Sequence, residues 1–138
     1  MNPKAKGEKT LAVVIAEFIK RDYVVLLPFG DNQRFDLALY LDGKFVRVQV
    51  KTAHLSNSGD GFNFATASVR TNTKKHIRSN YRGQVDYFAV YCPNIEKVYL
   101  VPVDNVGVSN ATLRLKAAKS GVNSYLQAKD YELDAVKI

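Results

Sequence analysis

Apolar residues fall at Leu11, Val14, Ile15, Phe18 and Ile19, the i, i+3, i+4, i+7, i+8 spacing of a helical face. This spacing predicts a helix over residues 8–21. Ala12, Val13 and Ala16 make its other sides apolar too, so it is expected to be covered on more than one face. The period then drops to that of strands. Residues 23–28 read as a first strand and GDNQR (30–34) as a turn. FDLALYL and KFVRVQVK, within 35–51, read as the two arms of a hairpin. LSNSGDG (55–61) reads as a loop and FNFATASVR (62–70) as another strand, while TNTKKHIRSNYRG (71–83) is polar, with room for one helical turn. Residues 85–91 and 97–103 are strong strands joined by a turn at Pro93-Asn94, and short helices are expected near 111–119 and 123–129. One helix, then strands, then small helices predict an α/β fold with a mixed central sheet.

The hairpin carries the sharpest local information. Asp42-Gly43 between two alternating runs is the strongest short-range signal for a two-residue turn. That turn pairs Leu41 with Lys44 and, counting outward, Ala38 with Arg47 and Asp36 with Gln49. Leu37, Leu39 and Leu41 then share a face with Val46, Val48 and Val50, an aliphatic surface made for burial. Asp36, Gln49 and Lys51 emerge on the opposite face. Directly opposed Cβ atoms lie about 4.5–5.5 Å apart and diagonal ones about 7–8 Å. A carboxylate, an amide and an ammonium gathered on one rigid sheet make a seat for a metal ion and a phosphate.

Charge adds a partner class. The 138 residues carry a formal charge of +7, which points to a polyanion and says nothing of fold. No Asp or Glu occurs from 61 to 85, where Arg70, Lys74, Lys75, Arg78 and Arg82 fall, nor from 105 to 129, where Arg114, Lys116, Lys119 and Lys129 fall. Such segregation predicts a basic surface. The length suits a single domain (1–138) with a real core. The longest apolar stretch, 11–19, is interrupted by Glu17 and is too short to span a bilayer, and the N-terminus lacks the apolar segment of a secretory leader, so no membrane association is expected. A single cysteine, Cys92, offers neither an internal disulfide nor a zinc cluster, which fits a reducing cytoplasm.

Asp36, preceded by Gly30-Asp31 and followed by Gln49-Val50-Lys51, resembles the PD-(D/E)XK nuclease superfamily, with Gln in place of the second acid. Further blocks agree: Lys-Gly-Glu at 6–8 before the apolar helix, RFDLAL, RVQVKTA, VDYFAVY and VYLVPV. Together they span about 6–104 and leave 105–138 as a C-terminal extension. The blocks are similar to those of a small bacterial branch that includes Holliday-junction-resolvase-like proteins and group I intron-encoded homing endonucleases of cyanobacterial type.

The resemblance implies a restriction-endonuclease-like core with the Asp42-Gly43 hairpin as its active-site hairpin. It implies an endodeoxyribonuclease that hydrolyses phosphodiesters with Mg²⁺, Mn²⁺ being able to substitute. Asp36 would be the principal metal ligand, completed by the Gln49 side-chain oxygen or the Val50 carbonyl. Lys51 would orient the attacking water and neutralise developing charge. Branch members commonly place a glutamate one turn into the first helix, and alignment from Lys6-Gly7-Glu8 puts Leu11 there. Either Glu8 takes that role or the site is incomplete and the chain is an inactivated variant. The implied partners are double-stranded DNA and further copies of the chain, as a dimer or tetramer, in a bacterial cytoplasm. Alternatives are a junction resolvase and a non-catalytic DNA-binding module.

Side chains suited to phosphate and base-edge contacts are Arg70, Lys74, Lys75, His76, Arg78, Asn80, Tyr81 and Arg82 in the basic segment, with His54, Asn57 and Asn63 in the preceding loop and strand. The two histidines suit the surface or a phosphate better than zinc, and Cys92 suits the core. Most aromatic rings belong to the core, Tyr81 and Tyr125 being the exceptions.

Overall fold

The computed structural model describes residues 2–71, 76–116 and 126–138. Helix α1 (Pro3–Lys20) starts earlier than the apolar spacing predicts, because Asn2 and Pro3 form a start signal of their own. The Asn2 Oδ1 atom accepts the Ala5 N–H at 2.8 Å, and Pro3 sits where a backbone donor would have no partner. Thr10, Val14 and Phe18 are buried and Leu11 and Ile15 half-buried, but Ala12, Ala16 and Ile19 are exposed. The helix is therefore covered on one side, contrary to the expectation. A single sheet packs against it, and its small alanines leave little apolar area for a second layer.

That sheet has five strands in the order β1 (Val24–Leu26), β2 (Leu37–Leu41), β3 (Lys44–Thr52), β8 (Tyr87–Cys92), β9 (Lys97–Pro102). β3 and β8 run parallel and the other neighbours antiparallel, so the central sheet is mixed as expected. The β2–β3 register pairs Leu41 with Lys44 and Ala38 with Arg47, as the turn dictates. Asp42 and Gly43 adopt φ of 48° and 81°, the two positive values of a tight turn matched to strand twist.

Each face of the sheet supports its own core. On the helix side, Leu37, Leu39 and Val48 pack with Val14, Phe18, Ala89 and Leu100. On the other, Phe88, Val90, Cys92, Tyr99 and Val101 meet Phe62, Phe64, Ala111 and Leu113. These last come from a second sheet, ordered β11 (Leu126–Gln127), β10 (Asn110–Arg114), β5 (Gly61–Ala65), β4 (His54–Leu55).

Four local expectations are corrected. The run 62–70 is two strands, because Thr66 leaves the ladder to bond Gly107 and Ser109. β6 (Ala67–Thr71) and β7 (His76–Asn80) then form a separate two-stranded ribbon where one helical turn was allowed. Of the expected helix near 111–119, residues 111–114 belong to strand β10, whose Ala111 and Leu113 alternate inward, and 117–119 lie outside the described residues; Gly61 lies so close that an added Cβ would sit 2.7 Å from the Leu113 carbonyl oxygen. Of the expected helix at 123–129, the described residues 126–127 are strand, followed by a 3₁₀ turn at Ala128–Tyr131. The described part of the C-terminal segment thus joins both cores, Ala111, Leu113 and Ala128 on the second sheet's side and Leu133 on the helix side.

Candidate active site

Strand β2 stops at Leu37, and the next residue back, Asp36, takes over its pairing. Asp36 donates its own N–H to the Val48 carbonyl at 2.9 Å, and its Oδ2 accepts the Val50 N–H at 2.8 Å. A carboxylate here replaces the backbone acceptor that a continuing strand would supply. β2 and β3 part at this point, and the Val50 carbonyl, on the same side of β3 as its N–H, lies beyond the end of the ladder. Burial pushes the Asp36 carboxyl above its ordinary range, against the Val50 bond and the nearby Lys51 charge, which act the other way.

A cleft of about 390 Å³ opens over this parting, lined by Asp36, Gln49, Val50 and Thr52 from the hairpin and by Lys4, Gly7, Glu8, Thr10 and Leu11 from α1. The Thr10 hydroxyl, 2% exposed, bonds the Thr52 hydroxyl at 2.7 Å and holds the helix against β3 beside the cleft. Thr10 was not singled out in the sequence, although a hydroxyl next to the apolar stripe was a usable signal. The site thus brings together Asp36, Gln49, Val50, Glu8 and Leu11. Lys51 is on the same strand, but its ammonium is directed to the Tyr81 hydroxyl, 3.3 Å away.

Among the described residues no three carboxylates, histidines or cysteines converge as a preformed metal cage. The donor set is one half-buried carboxylate, an amide oxygen and a main-chain carbonyl, with exposed Glu8 on the rim. Such hard oxygen donors fit a cation of the Mg²⁺ type that keeps several waters.

The PD-(D/E)XK endonuclease family matches this chain over residues 1–134. The chain belongs to that family. The match takes in the C-terminal strands as well as the 6–104 blocks. Among solved structures, a bacterial homing endonuclease, I-Ssp6803I, superposes with a TM-score of 0.77 at 27% identity, covering 96% of this chain and 89% of that one. No curated protein matches. This PD-(D/E)XK endonuclease has the restriction-endonuclease-like fold of that neighbour, and among its described residues no helix is long and apolar enough to cross a membrane.

The endonuclease's candidate DNA-contacting residues divide. His54, Asn57, Asn63 and Asn80 are exposed, and His54 and Asn63 are cross-strand partners on the outer face of the second sheet. Arg78 reaches Ser109 at 3.0 Å, and Arg82 reaches the Val106 carbonyl at 2.8 Å, so both brace the ribbon against the loop after β9. Arg70 and His76 lie on the ribbon backbone; Lys74, Lys75 and Tyr125 lie outside the described residues. Tyr81 is the correction. At 4% exposure it packs edge-on against Phe88 and is no free ring for a base.

Proposed function

We propose that the chain is a sequence-specific DNA endonuclease making Mg²⁺-dependent double-strand breaks, a homing endonuclease of the bacterial cytoplasm. The observation that carries this reading is the Asp36 carboxylate facing β3 where β2 ends, next to Gln49 and Val50 and two residues from Lys51 along the strand. Asp36, the Gln49 side-chain oxygen and the Val50 carbonyl are the groups that would hold the cation. Once bound, it would polarise the scissile phosphate and lower the pKa of a water. Lys51 supplies a fixed positive charge for the transition state and a donor to orient the attacking water. Gln49 is neutral, so this site holds a cation less tightly than a two-carboxylate site would. Basic and amide side chains of 70–84, with those of 54–63, contact phosphates and base edges. One chain offers one such site; a break in both strands needs a homo-oligomer, dimer or tetramer, whose symmetry suits a pseudo-palindromic target.

Leu11 favours a second reading, a chain that binds DNA and cuts it poorly. It lines the cleft without offering an oxygen, and Glu8, one turn earlier, is the helix carboxylate on the same cleft. Incubation with Mg²⁺ and linear, supercoiled or four-way-junction DNA separates the readings. Cleavage of the linear DNA at a defined sequence is expected. Cutting of the junction alone would replace the proposal with a resolvase, and binding without cutting in every case would leave the non-catalytic module.

A further inference from the structure

The Tyr81 ring is shared by two cations from different elements. The Arg34 guanidinium carbon stands 4.0 Å from the ring centroid, and the Lys51 Nζ 4.9 Å from it, the latter also donating to the hydroxyl. Arg34 in turn spends its planar fork on the ribbon. Its Nη1 donates to the Ser68 Oγ of β6 at 2.6 Å, and its Nη2 to the Ser79 and Asn80 carbonyls at the end of β7 at 3.1 and 2.9 Å. Its Nε donates to the Gln84 side-chain oxygen at 2.6 Å. Lysine, with one rotating ammonium, could not reproduce this fork. Among the described residues the ribbon makes no ladder with either larger sheet, so Arg34, two residues before Asp36, is a direct link from the ribbon to the active-site hairpin. A long, solvated lysine would otherwise sample many rotamers.

We propose that Tyr81 is a positioning residue for Lys51, and that Arg34 couples the seating of the β6–β7 ribbon to that position. The inference rests on the reading that Lys51 acts at the scissile phosphate. A ribbon pressed onto its DNA holds Arg34 and Tyr81 in place and with them the ammonium; a ribbon displaced on a wrong sequence loosens it. The ribbon thereby contributes to selectivity in the cutting step as well as in binding.

The test uses the full chain with its lysines ¹³C-dimethylated, the Lys51 signal being identified by its loss in Lys51→Arg. The Tyr81 ring current is expected to shift that signal upfield of the other lysines. Arg34→Gln moves it back toward them, and Tyr81→Phe, which keeps the buried ring but not the hydroxyl, also moves it. Under single-turnover conditions both variants lower cleavage by about tenfold or more, because small misplacements of a reacting group are costly. DNA affinity changes by less than about threefold, since the phosphate contacts remain. If native cleavage is too slow to follow, the rates are taken in the Leu11→Glu background. An unmoved Lys51 signal in both variants overturns the proposal. So does a moved signal with unchanged rates while Lys51→Ala abolishes cutting. Cutting that survives Lys51→Ala overturns the underlying functional reading instead.

Discussion

The strand pairs β2–β3 and β6–β7 are of similar length and opposite character. β2–β3 is closed by two turn residues, buries its aliphatic face and sits between two neighbours in the central sheet. β6–β7 has no neighbouring strand among the described residues and leaves Val69 and Ile77 57% and 43% exposed. The first is held by its own turn chemistry and by burial. The second is held by arginines that tie it to the rest of the chain: Arg34 reaches in to Ser68, Arg78 reaches out from β7 to Ser109, and Arg82, just past β7, bonds the Val106 carbonyl. A slip in the buried hairpin would turn its leucines to solvent, so it carries chemistry that needs fixed geometry. The ribbon can adjust because little apolar surface depends on it, which suits a part meeting a large, variable ligand.

The strongest test of this contrast lies in the first hairpin. Lys51→Ala should lower hydrolysis by several orders of magnitude, while specific DNA affinity in a filter or fluorescence assay weakens by no more than about 1–2 kcal/mol, as befits one contact among many. Equal losses in both assays would make Lys51 a surface contact. Asp36→Asn should likewise remove metal-dependent cleavage, yet the melting temperature at neutral pH should stay level or rise. Asparagine still accepts the Val50 N–H, and the raised Asp36 pKa means that the folded state holds the proton more tightly than the unfolded one. The native chain therefore pays an ionisation penalty, absent at low pH and growing as pH rises through the raised value, which Asn escapes. A clear fall in melting temperature for the variant at neutral pH would break this account.

Leu11→Glu comes next. Cleavage is expected to rise by more than about tenfold if the helix lacks only an oxygen donor at this cleft. The half-buried position also predicts a loss of thermal stability on the order of 1–2 kcal/mol, from placing a carboxylate next to Ile15 and Val14. Lower stability with no gain in rate would make Leu11 packing alone and turn attention to Glu8.

A smaller effect separates the ribbon from the hairpin by salt. The logarithm of DNA affinity should fall with the logarithm of salt concentration with a slope near −0.9 per neutralised phosphate, and replacing Lys74, Lys75 and Arg78 by Gln should flatten it by about two to three contacts' worth. An unchanged slope would mean that the segment does not face DNA. Smallest are the changes in fold stability. Gly43→Ala, at φ 81°, should cost about 1 kcal/mol by chemical denaturation, whereas Val69→Thr and Ile77→Thr on the exposed ribbon should each stay within about 0.5 kcal/mol. A larger loss at the ribbon would show that its apolar side chains are covered in solution.

Local patterns in the chain were enough to set out the helix, the mixed sheet, the Asp42-Gly43 register and the aliphatic face of the hairpin. Each depends on period, turn chemistry or a buried stripe within about twenty residues, and such signals survive without knowledge of distant partners. The same register predicted a direct Asp36–Gln49 pair, but the ladder ends at Leu37–Val48 and Asp36 bonds Val48 and Val50 instead. The rest depended on contacts distant in sequence. That β10 is a strand was decided by Gly61 and Phe62 offering a ladder fifty residues away. That Tyr81 is buried was decided by Phe88 and by two cations that only the folded chain brings to one ring. The second carboxylate oxygen of Asp36 bonds Val50 because β2 happens to end there, and that ending belongs to the sheet as a whole. Short-range propensity decided what each segment could become. Burial and hydrogen-bond pairing across the tertiary structure decided which option each polar or ambiguous segment took, because only there did an unpaired backbone group or an uncovered face find its partner.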